Sequence, residues 1–170
     1  KFDGAGHTIK NLYINRPTGY KVGLFETMTI GTVPDAYIGN LTLEGGSIQG
    51  GELVGGIVGH FGGGALRNLR NFNEVKGTKL VGGIAGAMAG EKSVYGTIPR
   101  HARMDNVYNG GAVGEFGVSD KVGGIVGGLN FGTIQSAANE GAVRGKNMVG
   151  GIVGHFQKDE NRLENVYNTG

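Results

Sequence analysis

The amino-acid sequence predicts an all-β fold, a parallel β-solenoid (a three-sided β-helix) of about six coils with a 27-residue repeat. Three observations support this fold class. Glycine supplies 37 of the 170 residues. Short apolar segments recur at a fixed period, and the stretches between them consist of Gly and Asn rather than helix formers.

The first repeated block reads Gly-[Ile/Leu]-x-[Gly/Glu] and occurs five times, the last four times directly after Val-Gly. Its copies begin at Gly23, Gly56, Gly83, Gly124 and Gly151. The distance from Ile57 to Ile84 is 27 positions (84 − 57), and the distance from Ile125 to Ile152 is again 27. Self-similarity at a fixed period of this size indicates a repeat architecture.

A second block, apolar-x-Asn-apolar-x-Asn, follows each time, and a third block that contains Val and Gly closes the unit. Copies of the second block lie at 66–71, 104–109, 134–139 (with Ser for the first Asn) and 163–168. Two earlier copies at 9–14 and 38–43 keep the first Asn and align Lys10 with Asp105. One unit therefore holds three short strands, which leaves no room for a helix.

Two other repeat folds fit the sequence less well than the solenoid. A propeller blade needs about 40–45 residues and four strands, so it is disfavoured. The leucine-rich repeat is the serious rival, because its period of about 20–29 residues overlaps. The Gly-rich and Asn-rich connections argue against the helices that such a repeat contains.

In a solenoid, successive coils lie about 4.8 Å apart and like residues form columns. Two aliphatic columns are candidates for the core, although the Gly-Gly pair between them leaves open whether both face inward. Lys121 shares a column with Leu53, Leu80 and Met148, which places that column outward or at an edge. The aliphatic columns are Leu24, Ile57, Ile84, Ile125 and Ile152, and Val54, Val81, Val122 and Val149. A third column, Asn71, Asn109, Asn139 and Asn168, predicts a structural ladder of amides.

Composition narrows the function classes. The net charge of +2 gives no strong field for nucleic acid or anionic membrane. The absence of Cys excludes disulfides, thiolate zinc sites and a Cys nucleophile. No apolar run approaches the about 18 residues of a membrane span. Because the chain begins at Lys1 without a leader and ends inside a repeat unit, we expect residues 1–170 to be a single repeat array cut from a longer chain.

The metal-ligating side chains are scattered. His60 and His155 share a column but lie three coils, or about 14 Å, apart, which is too far to share a metal ion. Asp159 and Glu160 are adjacent, but a calcium site needs more clustered oxygens. The sequence therefore predicts no metal, no cofactor and no catalytic residue of the metalloprotease type.

The carboxylates give a similar answer. Asp105 and Glu164 fall in one column with Gln135 between them, so they lie two coils, or about 10 Å, apart. A glycosidase needs two carboxyl groups about 5–9.5 Å apart, so this pair makes a poor active site. We predict that the chain is not an enzyme.

Three segments exceed the repeat, at 27–37, 91–103 and 115–120. Solenoids accommodate insertions as loops, often on the binding face. The loop 91–103 concentrates cationic and aromatic side chains that suit an acidic partner or a glycan. A variable loop without a role is the alternative. The candidate partner-binding residues are Lys92, Tyr95, Arg100, His101 and Arg103.

These repeats resemble the GLUG motif of bacterial proteins. The resemblance rests on Gly-Leu/Ile-x-Gly after Val-Gly, followed by Asn-x-x-Asn-x-Gly, and covers 20–170 in five copies behind a leading coil at 1–19. The first copy departs from the motif, because Glu26 replaces the last Gly and no second Gly precedes Leu24.

The resemblance implies a secreted or surface-exposed bacterial protein, since GLUG repeats occur in adhesin-like proteins and in IgA-cleaving metalloproteases. It carries over no catalytic residue. The expected function is a non-catalytic stalk or adhesive scaffold for host or cell-surface glycans or proteins. The alternative is part of a polysaccharide-binding or polysaccharide-cleaving β-helix. Since an uncapped solenoid end presents unpaired backbone groups, we also expect end-to-end self-association.

Overall fold

A computed structural model describes residues 1–29, 36–90, 102–157 and 160–170. The chain folds as an all-β solenoid of about five turns, and all the strand pairs described are parallel. The described residues form nineteen strands and no helix. In chain order these are β1 Phe2–Lys10, β2 Tyr13–Asn15, β3 Tyr20–Val22, β4 Phe25–Met28, β5 Tyr37–Glu44, β6 Ser47–Gln49, β7 Glu52–Gly55, β8 Val58–Phe61, β9 Gly64–Asn71, β10 Glu74–Lys76, β11 Lys79–Gly82, β12 Ala85–Ala89, β13 Ala102–Asn109, β14 Asp120–Gly123, β15 Val126–Asn130, β16 Gly132–Asn139, β17 Asn147–Gly150, β18 Val153–Phe156 and β19 Arg162–Asn168.

The strands form four parallel sheets, A to D, that run along the stack. Sheet A is β1-β5-β9-β13-β16-β19, sheet B is β2-β6-β10, sheet C is β3-β7-β11-β14-β17 and sheet D is β4-β8-β12-β15-β18. Isolated bridges of Val113 with Val75 and Val143 continue sheet B. The predicted parallel solenoid is therefore confirmed. The three-sided cross-section is not confirmed, because the first repeated block and the Val-Gly before it contribute to two strands, one in sheet C and one in sheet D.

Close packing at the glycines of the motif explains why the chain forms separate strands in sheets C and D. A Cβ atom on Gly83 would lie within 3.0 Å of the Asn109 side chain, and one on Gly86 within 3.0 Å of the Leu53 backbone. The second contact packs a sheet D strand against the sheet C strand of the preceding turn. The recurring glycines of the motif are thus required by close approach of the backbone, and neither residue has a positive φ.

Both aliphatic columns face the interior, although a Gly-Gly pair lies between them. Ile57, Ile84 and Ile125 are fully buried. The three valines that precede them, at 54, 81 and 122, are fully buried as well. In the last turn, Val149 is 46% exposed and Ile152 is partly buried. The core is therefore a set of parallel aliphatic columns along the axis of the stack.

The first turn is out of the predicted register, by seven residues at Asp3 and by five after the register shift between Asp3 and His7. Asp3, rather than Lys10, pairs with Gly39 and so shares the column of Asp105. Lys10 pairs with Glu44, and their side chains form an ion pair of 2.9 Å. The alignment of 9–14 with 38–43 was wrong, because Ile9-Lys10-Asn11 imitates the second block while Phe2–Lys10 makes the actual strand.

Left-handed backbone recurs in two columns of non-glycine residues. One is Asn40, Asn68, Asn106, Ser136 and Asn165, with φ between 49 and 55°. The other is Lys21, Leu53, Leu80, Lys121 and Met148, with φ between 50 and 57°. The second is the column that Lys121 was expected to place outward or at an edge. Exposure varies along this column, since Leu53 is buried whereas Met148 is 52% exposed.

A ladder of buried amides runs inside the stack, as predicted. The Nδ2 group of Asn71 donates to Oδ1 of Asn109 at 2.9 Å, and Asn109 donates in turn to Asn139 at 2.7 Å. The ladder continues from Asn139 to Asn168 at 2.6 Å. Each amide also donates to the carbonyl two residues ahead, as Asn109 does to Gly111 at 2.7 Å. These are not the asparagines with left-handed backbone.

We predict that Ile125→Asp unfolds the protein. A carboxylate without a partner in this fully buried column costs several kcal/mol, or forces local unfolding. Thermal melting followed by circular dichroism measures the effect. Phe116→Asp, at a position that is 83% exposed in the same turn, is the control and should melt like the parent. Equal melting of both variants would contradict an interior position for Ile125.

We also predict that Asn109→Ala is far more destabilising than Asn106→Ala. The first change leaves the donors and acceptors of Asn71, Asn139 and Gly111 buried without partners, at about 1–3 kcal/mol for each group. The second removes an exposed amide, and Ala5 shows that alanine adopts left-handed backbone elsewhere in this chain. Urea unfolding of the two variants compares the losses, and similar losses would argue against the ladder as a stabilising element.

Candidate functional site

The predicted binding loop falls mostly outside the described residues. Lys92, Tyr95, Arg100 and His101 all lie there, so their binding role stays a prediction. Arg103 is described and is the second residue of β13 rather than part of a loop. It is exposed and pairs with Ala65 and Thr133, which places it on the outer face of sheet A.

The His column and the carboxylate column lie as the sequence predicts. His60, Ala87, Gly128 and His155 occupy equivalent positions on sheet D. Asp105, Gln135 and Glu164 are likewise in register on sheet A. Within the described ranges, no group of three or more His, Cys, Asp or Glu side chains could hold a metal ion. Asp159 lies outside the described residues.

The outer face of sheet A carries a groove that runs along the stack. The left-handed residue interrupts the alternation of side chains along the strand. Two neighbouring side chains therefore face solvent, as Arg67 and Asn68 do. The groove has a volume of about 570 Å³. One wall is the outer asparagine column, which consists of Asn40, Asn68, Asn106, Ser136 and Asn165. The facing wall is the tyrosine column, which consists of Thr42, Arg70, Tyr108, Ala138 and Tyr167.

Hydrogen bonds order the first part of the outer asparagine column. Asn40 donates to Asp3 at 2.9 Å, Asn68 donates to Asn40 at 2.8 Å, and Asn106 donates to Asn68 at 2.8 Å. The ladder stops at Ser136, whose side chain is shorter. Within the described chain, the side chains of Ser136 and Asn165 make no hydrogen bond to one another or to Asn106.

Asp3 anchors that ladder at its first turn. Its carboxylate accepts hydrogen bonds from the side chain of Asn40, the backbone N–H of Ala5 and the hydroxyl of Tyr37, each at 2.9 Å. These bonds favour the charged form and lower the pKa of Asp3, with the bond from Asn40 contributing most. The outer asparagine column therefore begins at a carboxylate that stays ionised in the folded chain.

Tyr108 is held by residues of both neighbouring turns. Its ring lies 5.4 Å from that of Phe72, and the Arg70 guanidinium lies 5.2 Å from its centroid. Its hydroxyl donates to Glu140 at 2.8 Å, and this bond, followed by burial, raises the pKa of Tyr108. Tyr108 and Ala138 line the groove, as does Tyr167 beyond Ala138, with 54% of its surface exposed.

The sequence analysis did not identify three residues of this groove, although their pattern is visible in the repeats. They are Tyr108, Ala138 and Tyr167. They occupy the fifth place of the second repeated block, where Arg70 precedes them. Comparison of the copies at that place shows a small residue between two aromatic ones. The asparagines of the block recur more regularly, and they predict only the ladder.

We predict that Tyr108 ionises only above the ordinary tyrosine pKa of 10.0, and that Glu140→Ala moves its pKa down. Because the folded-state pKa is raised, the stabilisation is present below pH about 10 and is lost as the pH rises through the raised value. Ring signals in NMR titration measure the ionisation. Glu44→Ala, which removes the partner of Lys10, is the control, and an unchanged Tyr108 titration in Glu140→Ala would contradict the prediction.

Comparison with known proteins gives two matches. No family model matches the chain. The chain is 40% identical over 75 residues to halomucin of Haloquadratum walsbyi, a match that covers 44% of this chain and 1% of halomucin. A crystal structure of a candidate immunoglobulin A1 protease from Bacteroides ovatus has a TM-score of 0.69 at 24% identity. The match covers 98% of this chain and 50% of that protein, so this chain spans about half of the solved structure and shares its β-solenoid fold.

Proposed function

We propose that this chain is a non-catalytic binding scaffold of a secreted or surface-exposed bacterial protein, built from GLUG-type repeats. The observation that carries the proposal is the difference in sequence between the inner and outer faces of sheet A. Inner positions hold aliphatic residues throughout the stack, joined from Asn71 onward by the buried asparagine ladder. On the outer face, the tyrosine column varies from turn to turn along a groove. A rigid stack with a variable outer face suits binding.

The comparisons support this proposal in two respects. Halomucin is a surface or secreted protein. In both matches this chain corresponds to only a part of the other protein, 1% and 50% respectively. A repeated scaffold within a larger extracellular protein is consistent with both matches.

A second function, cleavage of a polysaccharide, has one observation in its favour. Asp105 and Glu164 flank the outer asparagine column two turns, or about 10 Å, apart. This separation is slightly larger than the about 6.5–9.5 Å that inverting glycosidases use. Release of new reducing ends from soluble polysaccharides would favour this alternative, particularly if Glu164→Gln abolished it.

We predict that the fluorescently labelled chain binds to bacterial or epithelial cells, and that deletion of 91–101 reduces this binding. Lys92, Tyr95, Arg100 and His101 lie within the deletion, and charged donors on an insertion suit acidic surface groups. The deletion stops before Ala102, because β13 begins there. Flow cytometry measures binding, and circular dichroism checks the fold.

The control for this experiment is Phe116→Ser. Phe116 is 83% exposed in the turn of the insertion 115–120, whose buried Ser119 accepts from the Glu115 amide at 2.8 Å. This change removes an exposed apolar side chain from a different insertion. Equal binding by the parent and the deletion variant would move the contact to the regular turns. Absence of binding by every form would contradict an adhesive role.

A further inference from the structure

We propose that the groove on the outer face of sheet A binds an extended, uncharged pyranose glycan that lies along the stack. The inference rests on the proposed binding function and names its site and its ligand class. Four features carry it: the polar character of one wall, the aromatic character of the other, the notch at Ala138 and the repeat distance of the turns.

The outer asparagine column supplies the hydrogen bonds that sugar hydroxyls need. Each amide has two donors and one acceptor oxygen with two lone pairs, and the ladder uses only part of this capacity. Beyond Asn106 the ladder is interrupted, so the Asn106 oxygen, the Ser136 hydroxyl and the Asn165 amide face the groove together. Hydroxyl groups donate and accept at once, and they match such mixed partners.

The tyrosine column supplies the apolar contact. Tyr108 and Tyr167 are two turns, or about 10 Å, apart, and Ala138 leaves the level between them open. A sugar ring at this level therefore lies between the two tyrosine side chains. The carbon-bound hydrogens of a pyranose ring suit the negative face of an aromatic ring.

The charge of the groove favours an uncharged glycan. Among the described residues that line it there is one cation, Arg70, and no carboxylate. The Arg70 guanidinium already lies over the Tyr108 ring. A polyanionic glycan or nucleic acid is bound through several cationic groups along its length. The amide, hydroxyl and phenol groups of this groove provide recognition without such charge.

The length and period of the groove fit a polymer rather than a single sugar. From Asn40 to Asn165 the groove follows four steps between turns, a distance of about 19 Å. The rise of each turn, about 4.8 Å, is close to the length of one pyranose unit in an extended β-linked chain. Successive sugars therefore meet successive turns, and each meets an Asn or Ser on the same side.

The test is isothermal titration calorimetry with cellohexaose, mannohexaose and chitohexaose, and with hexagalacturonate as the anionic comparison. We expect the parent chain to bind at least one neutral hexasaccharide more tightly than hexagalacturonate. Ala138→Tyr fills the notch with the residue that occupies this column one turn away on either side, and should abolish binding. Tyr167→Ala removes a wall that is already 54% exposed, and should weaken binding about tenfold.

The matched control is Tyr13→Ala, which removes a 71% exposed tyrosine from sheet B. It should bind like the parent, and circular dichroism should show that all three variants fold. Should Ala138→Tyr fail to fold, Tyr167→Ala and Asn165→Ala decide, because both residues are exposed.

Three results would overturn the inference. They are failure of the parent to bind any neutral hexasaccharide, preference for hexagalacturonate, and unchanged binding by Ala138→Tyr or Tyr167→Ala. Cell binding by the parent that persists in these variants would leave the proposed scaffold function in place and reject this groove as its site.

Discussion

The contact on which the rest of the structure depends is that of a buried asparagine amide with a glycine backbone. Asn109 bonds to the asparagines of the turns before and after it, and its side chain lies against Gly83. A larger residue at Gly83 would force the sheet C and sheet D strands away from sheet A. The amide ladder fixes the register of sheet A, and the glycine column lets the remaining sheets close around the core.

This dependence explains what the sequence could predict. The aliphatic columns, the inner ladder and the parallel stacking follow from spacing, because a residue buried in every turn must recur in every turn. The left-handed conformation of Leu53, Leu80 and Lys121 could not be predicted, since leucine and lysine do not favour positive φ. The surrounding sheets impose that conformation, at about 1–2 kcal/mol for each residue. The register of the first turn was missed because Ile9-Lys10-Asn11 carries the same local pattern as a true second block.

The left-handed residues of the outer asparagine column also link the packing of the core to the shape of the surface. At Asn68 the left-handed residue breaks strict alternation, so Arg67 and Asn68 both face outward while Leu66 and Leu69 face inward. One conformational choice, repeated in each turn, therefore creates both the groove and its asparagine wall. Asn is suited to this place twice, since it tolerates left-handed backbone and its amide reaches the next turn.

The candidate site could be predicted only in part, for a related reason. Positions that repeat hold the stack together, so a search for recurrence finds the scaffold and passes over the residues that differ. Ser136 and Ala138 are the short members of two columns whose neighbours are Asn and Tyr. Their small size matters only because stacking aligns them with larger residues one turn away on either side. In a solenoid, departures from the repeat therefore mark the positions that are free to serve binding, and the sheet A groove contains two of them on one strand.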